Sequence, residues 1–219
     1  MTTIWLIRHG DAHVNQPNPD GTYSLIDRKG LTERGVEQTM LLRDRLVRDE
    51  ARPDAVITSS FLRAQQTASI VCEGLGVEPQ IDHEIQEWRP GDEAEVIPMG
   101  EALGSWNRIL AGHDHDVRIT PGSESHNEFL SRVDRALAQI AADHAERTVW
   151  VFTHGGVIGR SFVTFLDLPP QRSLLGIRSL HTSITEWHHI AELGEAAWQL
   201  SRYNDVAHLG GTQAANTLR

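Results

Sequence analysis

Two apolar stretches of the chain each run into a histidine followed by a glycine. Residues 3–7 lead into Arg8-His9-Gly10, and residues 148–152 lead into Thr153-His154-Gly155-Gly156. Short, continuous apolar runs of this kind predict buried strands. Because ligands in open α/β sheets bind beyond the carboxyl ends of the strands, we expect both imidazoles to face one crevice. Each glycine lets the backbone approach a ligand closely, and the arginine offers a fork for phosphate oxygens.

A third basic side chain is predicted at the same edge of the sheet. Arg63 follows a predicted strand at 55–58 and lies in the first turn of a predicted helix at 61–73, with Ser59 or Ser60 as the N-cap. The positive end of the helix dipole disfavours a cation at that position. We therefore interpret Arg63 as a side chain that binds an anionic ligand, because it does not favour the helix itself.

The order of the predicted elements indicates a three-layer α/β/α sandwich with a central, mostly parallel sheet. Strands alternate with helices along most of the chain, which is typical of this fold class. A final antiparallel hairpin is predicted at 183–190 and 197–203, turning at Gly194. We predict a single domain over 1–205 with a small cap region at about 88–122, which includes a helix at 102–110, and a flexible tail at 206–219.

Two of the predicted helices carry recognisable start signals and apolar faces. Thr32 is the predicted N-cap of a helix that extends to about residue 50, with Val36, Met40 and Val47 on one face. A capping-box pattern at Ser125 and Glu128 begins another helix, and its predicted apolar stripe consists of Phe129, Val133, Leu137 and Ile140.

Six motifs together resemble the histidine phosphatase superfamily, also called the phosphoglycerate mutase-like family, over nearly the whole chain. In chain order they are Arg8-His9-Gly10, Leu31-Thr32-Glu33-Arg34-Gly35, the segment 59–68, Gly122-Ser123-Glu124-Ser125, Thr153-His154-Gly155-Gly156 and Ala207-His208-Leu209. One such motif is weak evidence, whereas six in this order are specific. The resemblance implies the fold of that family and metal-independent phosphoryl transfer through a phosphohistidine.

The resemblance also implies a role for each matching residue. His9 would attack phosphorus and carry the phosphoryl group, since a neutral imidazole is a competent nucleophile. Arg8, Arg63 and His154 would hold the phosphoryl oxygens and offset their charge in the transition state. Asn15 and Gly155 would add contacts to the phosphate.

A carboxylic acid is needed to protonate the leaving oxygen and then to activate water. The family pattern has an apolar residue two positions before this acid and a glycine a few residues after it, which favours Glu87, followed by Gly91, over Glu84. The chain departs from the pattern at residues 88–90, where a glycine-rich stretch is usual, and at Ala12, where Thr or Ser is common.

Composition narrows the classes of partner. The 219 residues carry a formal net charge of -10, which disfavours nucleic acid and anionic membranes as partners. A small phosphorylated substrate is the ligand that the resemblance implies. A lone cysteine, Cys72, excludes an intrachain disulfide and fits a cytoplasmic location, as does the lack of a signal peptide or a spanning segment. The segments 113–116 and 188–189 lack zinc-type spacing, so we predict no metal and no cofactor. A homodimer is compatible with the sequence.

Two rival functions stay open at this point. A mutase of the same family would return the phosphoryl group to another hydroxyl of the substrate, although the chain length favours hydrolysis. The other alternative is a non-catalytic protein that binds a phosphorylated ligand. The sequence argues against it, because every expected catalytic position except the uncertain acid carries the residue that catalysis requires.

Overall fold

The computed structural model describes residues 1–15, 18–24, 26–91, 96–98, 120–168, 177–191 and 197–210, together with residues 100, 101, 104, 116 and 118. Its strands, in chain order, are β1 (Thr2–Arg8), β2 (Thr22–Ser24), β3 (Ala55–Ser59), β4 (Gln80–Asp82), β5 (Val96–Pro98), β6 (Thr148–Thr153), β7 (Ile184–His189) and β8 (Trp198–Asp205). Six of them form one sheet in the order β4-β3-β6-β1-β7-β8. The first four strands of that order are parallel, and β7 and β8 are antiparallel to their neighbours.

Helices cover both faces of this sheet. The four helices in the described part of the chain are α1 (Glu33–Arg48), α2 (Leu62–Leu75), α3 (His126–Asp143) and α4 (Gly155–Phe165). One core cluster joins residues of α1 and α2 to Ile7 and Trp150, and the other joins residues of α3 and α4 to Leu6 and Val151. Because adjacent strand residues point to opposite faces, the sheet lies between two helical layers. The predicted three-layer α/β/α fold is confirmed.

The helix starts follow the predicted chemistry in two cases and differ in one. Thr32 caps α1 by accepting a hydrogen bond from the Gly35 amide, and residues 125 and 128 form a complete capping box at α3. Gly76 ends α2 in the left-handed region at φ 67°. The predicted N-cap of α2 is wrong, because Phe61 occupies that place without a side-chain hydrogen bond. The Ser59 hydroxyl instead contacts His154.

The predicted apolar face of α1 is also wrong. Val36, Met40 and Val47 are 36%, 42% and 41% exposed. The buried residues of this helix are Gly35, Gln38, Thr39, Leu42 and Leu46. The helix turns its polar Gln38 inward because its side-chain oxygen accepts a hydrogen bond from the Asp11 amide at 2.9 Å. The buried face of α1 therefore combines Leu42 and Leu46 with one polar residue that binds the loop after β1. The predicted apolar stripe of α3 is buried as expected.

Two features of the fold lie outside the predicted pattern. Strands β2 and β5 form a small antiparallel sheet, which brings the loop after β1 against the predicted cap region. Residues 206–210 are packed rather than free, since Ala207–Leu209 forms a 3₁₀ turn in which Leu209 is 4% exposed. The flexible tail at 206–219 stays a prediction. The predicted helix at 102–110 and the turn at Gly194 fall outside the described residues.

No helix within the described ranges is long and apolar enough to cross a membrane.

Candidate active site

The ends of two neighbouring strands bring the two predicted histidines together. Strands β1 and β6 are parallel neighbours with Arg8 opposite Thr153, so His9 and His154 follow at the same level. The His9 amide donates to the Thr153 carbonyl at 3.0 Å. The two imidazole rings lie 5.2 Å apart between centroids, and both residues are buried. The predicted crevice at the carboxyl ends of the strands therefore holds both imidazoles.

A close backbone contact holds the loop that carries His9. A β-carbon on Gly10 would lie 2.6 Å from the Gly35 carbonyl oxygen, and one on Gly35 would lie 2.0 Å from the Asp11 carbonyl oxygen. Only glycine fits at both positions, because real β-carbons do not approach other atoms so closely. The Gly10 amide also donates to the Thr67 hydroxyl at 3.1 Å. The start of α1 and the middle of α2 thus fix the backbone on which His9 stands.

Hydrogen bonds determine which nitrogen of His9 is available. Nδ1 lies 2.6 Å from the Gly10 carbonyl oxygen, which can only accept, so Nδ1 carries the proton of the neutral ring. Nε2 therefore has a lone pair, and the Arg63 Nε donates to it at 3.2 Å. Burial is the main cause that lowers the pKa of His9 well below 6.5, and the neighbouring cations Arg63 and Arg8 act in the same direction. The ring is neutral at physiological pH with Nε2 as its basic nitrogen.

Arg63 is buried at the start of α2 and is held by an acidic partner. Its Nη1 lies 3.0 Å from the Asp27 carboxylate, which also accepts the Arg63 amide at 2.9 Å. Both side chains are almost completely buried, at 7% and 5% exposure. The carboxylate offsets the unfavourable dipole at this helix end. The guanidinium also lies over the Phe61 ring at 4.9 Å.

Arg8 lies beside the start of α4 with part of its guanidinium unused. Its Nη1 donates to the Ser179 carbonyl at 2.5 Å, whereas its buried Nε has no hydrogen-bond partner among the described residues. A β-carbon on Gly155 would sit 3.6 Å from that Nε, so the glycine leaves an open space next to the free donor. Burial lowers the pKa of Arg8 to about 10, which still leaves the group charged at neutral pH.

His154 presents a second unused nitrogen. Its Nε2 lies 2.8 Å from the Ser59 hydroxyl, and its buried Nδ1 has no hydrogen-bond partner in the part of the chain that the structure describes. Burial first, and then Arg63 and Arg8, lower the pKa of His154 well below 6.5, so this ring is neutral as well. Buried polar groups are normally hydrogen-bonded. The Arg8 Nε and the His154 Nδ1 are therefore polar atoms of the kind that a binding site offers to a ligand.

The two candidate acids lie in different places. The Glu87 carboxylate accepts hydrogen bonds from the Gly156 amide at 2.9 Å and the Trp88 amide at 3.2 Å. It also acts electrostatically on Arg8, which places it at the site. Glu84 instead pairs with Arg89 at 2.9 Å and is 52% exposed. The structure brings only Glu87 to the crevice.

Asn15 closes the 3₁₀ turn His13–Asn15 in the loop after β1. Its side chain falls outside the described part of the structure, so its predicted contact with phosphate stays a prediction. In the part of the chain that the structure describes, no group of three or more His, Cys, Asp or Glu residues could hold a metal ion. Cys72 lies on the buried face of α2, in the core.

Two residues of the site were not predicted from the sequence. Asp27 pairs with Arg63, and the His181 ring lies 5.5 Å from the His9 ring between centroids. A signal for His181 was present, because it comes just before the first strand of the predicted hairpin. A strand antiparallel to β1 begins at the edge where β1 ends, so a histidine at its start belongs to the same crevice.

Comparison with known proteins identifies the family. The model of the histidine phosphatase superfamily (branch 1) matches residues 4–206. A metal-independent phosphoserine phosphatase of Arabidopsis thaliana is 28% identical over 220 residues, which cover 95% of this chain and 84% of that protein. A probable phosphoglycerate mutase (GpmB) of Cronobacter sakazakii is 28% identical over 213 residues, covering 95% of both chains.

A solved structure shows the same fold. A phosphoserine phosphatase from Entamoeba histolytica, in complex with phosphoserine, superimposes with a TM-score of 0.75 at 20% sequence identity, covering 95% of this chain and all of that chain. The predicted family and fold are therefore confirmed, and so is the prediction of an enzyme of the histidine phosphatase type. The chain belongs to the histidine phosphatase superfamily, branch 1.

Proposed function

We propose that the protein hydrolyses phosphomonoesters through a phosphohistidine on His9. The observation that carries the proposal is the state of that ring, which is neutral and buried, with its basic Nε2 directed at the Arg63 guanidinium. A phosphoryl group placed there would meet a nucleophile and a cation at once. The unused Arg8 Nε and His154 Nδ1 would complete its oxygen contacts.

The first chemical step transfers the phosphoryl group to the protein. The Nε2 lone pair of His9 attacks phosphorus, and the bond between phosphorus and the ester oxygen breaks. Arg8 and Arg63 offset the negative charge on the equatorial oxygens, which is the main contribution a protein makes to such a reaction. Glu87, in its protonated form, gives its proton to the leaving alkoxide, so the alcohol departs neutral.

The second step returns the enzyme to its starting state. Glu87, now a carboxylate, removes a proton from a water molecule as its oxygen attacks phosphorus. The bond between phosphorus and Nε2 breaks, phosphate is released and the lone pair returns to His9. The amides of Gly156 and Trp88 hold the Glu87 carboxylate in place for both proton transfers. No metal ion takes part in either step.

Small phosphorylated metabolites are the substrate class that the relatives suggest. The Arabidopsis relative is named a phosphoserine phosphatase and the Cronobacter relative a probable phosphoglycerate mutase, at the same sequence identity. The second name keeps mutase activity as a rival, in which the phosphoryl group returns to a hydroxyl of the substrate. A cytoplasmic location and a homodimer remain predictions from the sequence, and size-exclusion chromatography would test the latter.

Phosphate release from a panel of phosphomonoesters tests the proposal. The panel should include phosphoserine, 3-phosphoglycerate, a nucleotide and an aryl phosphate, each assayed with the wild type and with His9→Ala in excess chelator. We expect release that disappears in the variant, and trapping of up to one phosphoryl group per wild-type chain by an alkaline quench, because the bond between phosphorus and an imidazole nitrogen hydrolyses in acid and survives in alkali. Conversion of 3-phosphoglycerate into 2-phosphoglycerate without phosphate release would favour the mutase. Release that persists in His9→Ala would overturn the proposed nucleophile.

A further inference from the structure

A third histidine lies against His9 and is not among the motifs that identify the family. The His181 ring is 5.5 Å from the His9 ring, nearly the same as the separation between His9 and His154. The residue is 9% exposed. Its Nδ1 lies 3.7 Å from the Asp11 carboxylate. His181 therefore combines burial, an acidic neighbour and contact with the proposed nucleophile.

The segment that carries His181 is anchored to the backbone of the site. The Thr182 amide donates to the carbonyl oxygens of Arg8 and His9 at 3.1 and 3.3 Å, and the Arg8 amide donates to the Ser183 carbonyl at 3.1 Å. The Arg8 side chain holds the Ser179 carbonyl as well. His181 thus cannot move relative to His9 without breaking several hydrogen bonds of the chain around the proposed nucleophile.

Backbone strain at the next residue supports a functional reason for this position. Thr182 has φ 56°, a conformation that is a genuine outlier for a β-branched residue. Such strain persists only where the surroundings enforce it, and it is concentrated at functional sites. The Thr182 hydroxyl donates to the His181 carbonyl at 2.7 Å and lies 2.9 Å from Nε2 of His208. The family motif at 207–209 thereby supports the strained turn that holds His181.

The charges around His181 are mostly positive. The groups that face it are Arg8 and His9 at the end of β1, Asp11 in the following loop, Arg34 on α1, Arg63 on α2 and Arg178 in its own segment. Burial and these cations lower the pKa of His181 to about 2, so the ring is neutral in the free protein. An anion that neutralises the arginines removes much of the repulsion that disfavours a protonated His181, and its own negative charge attracts the protonated ring.

We propose that His181 is a further anion-binding residue of the site and that it takes up one proton from solvent when a phosphoryl dianion binds. Asp11 orients the ring and stabilises the proton that it gains. The inference rests on the proposed function for the identity of the ligand, but its test does not depend on turnover. Sulfate is a suitable probe, because it keeps both negative charges across the pH range in which histidine titrates.

Calorimetric titration with sulfate between pH 5.5 and 7.5 tests the inference. By linkage, each proton taken up on binding makes log Kd rise by about one per pH unit. We expect the slope of log Kd against pH to be lower by about one in His181→Asn than in the wild type. Asparagine can donate a hydrogen bond to the anion but cannot take up a proton. The exposed His83 provides the matched control, since His83→Asn should keep the wild-type slope.

The outcomes separate the inference from the proposed function. Equal slopes in the wild type and His181→Asn, with both proteins folded by circular dichroism, would overturn the inference. Hydrolysis of an aryl phosphate is measured in the same samples. Sulfate binding with the expected slopes but no hydrolysis by the wild type would overturn the proposed function alone. Absence of sulfate binding to the wild type would overturn the inference, and hydrolysis by that same protein would leave the proposed function standing.

Discussion

Acid should destabilise the protein through the three histidines at its active site. His9, His154 and His181 are buried, and burial is the main cause of the lowered pKa of each. In the unfolded chain each would titrate near the ordinary value of about 6.5. As the pH falls through that value, these histidines bind protons in the unfolded chain but not in the folded chain. The free energy of unfolding therefore decreases. Above that value this effect vanishes, and the full stability is present.

The size of the effect follows from the number of histidines. For one histidine that stays neutral in the folded state, the linkage relation gives a loss of about 1.4 kcal/mol at pH 5.5 relative to neutral or higher pH. Three such residues give about 4 kcal/mol, if the folded state does not relax around them. A domain has a total stability of roughly 5–15 kcal/mol. The effect is therefore large enough to be measured by ordinary denaturation.

Urea unfolding in chloride buffers between pH 5.5 and 8 measures this loss. His154→Asn and His181→Asn should each reduce the loss by about one third, because each removes one of the three titrating groups. The exposed His83 is again the control, and His83→Asn should leave the dependence on pH unchanged. The comparison uses the change in the free energy of unfolding with pH for each protein, so differences in absolute stability between the variants do not affect it. If both active-site variants keep the full wild-type loss, the three rings are not the source of the acid sensitivity.

The remaining predictions concern catalysis. Hydrolysis should persist in excess chelator, because two guanidiniums supply the positive charge, and loss of activity that a divalent cation restores would contradict this. His9→Ala and His154→Ala should each lower kcat by at least ~10³, measured by phosphate release from folded protein. An active His9→Ala would exclude that nucleophile. Glu87→Gln should slow alkyl phosphates far more than aryl phosphates, because only the former need a proton on the leaving group. Glu84→Gln should change neither rate by more than about two-fold, and the opposite pattern would assign the acid to Glu84.

Much of the site was predictable because it is built from strand ends. The sequence marks where β1 and β6 stop, and parallel neighbours stop at one edge of a sheet. The convergence of His9 and His154 follows from that geometry alone. Arg63 was predictable from an energetic conflict, since a cation at a helix start needs a compensating partner. The structure supplies Asp27 as that partner.

The partners themselves were not predictable, because they come from distant parts of the chain. Asp27 lies in an irregular loop, and nothing in its neighbours distinguishes it from a solvated acid. The buried face of α1 failed for a related reason. The buried face carries Leu42 and Leu46 together with Gln38, whose side-chain oxygen accepts the amide of the loop after β1, and this polar residue obscures the apolar face in the sequence. Periodicity reports the average environment of a helix, whereas a site imposes specific contacts.

The low histidine pKa values and the buried arginines have the same physical origin, which is removal from water. Burial is the main cause that keeps the nearby imidazoles neutral, and the charges of Arg8 and Arg63 act in the same direction. A bound dianion reverses the sign of the field at His181, so anion binding and protonation of that ring favour each other in our proposal. Reciprocity then requires that an anion protects the folded chain against acid by the same free energy by which acid strengthens anion binding. The acid sensitivity of the free protein and the affinity of its site for phosphate are thus two measurements of one electrostatic arrangement.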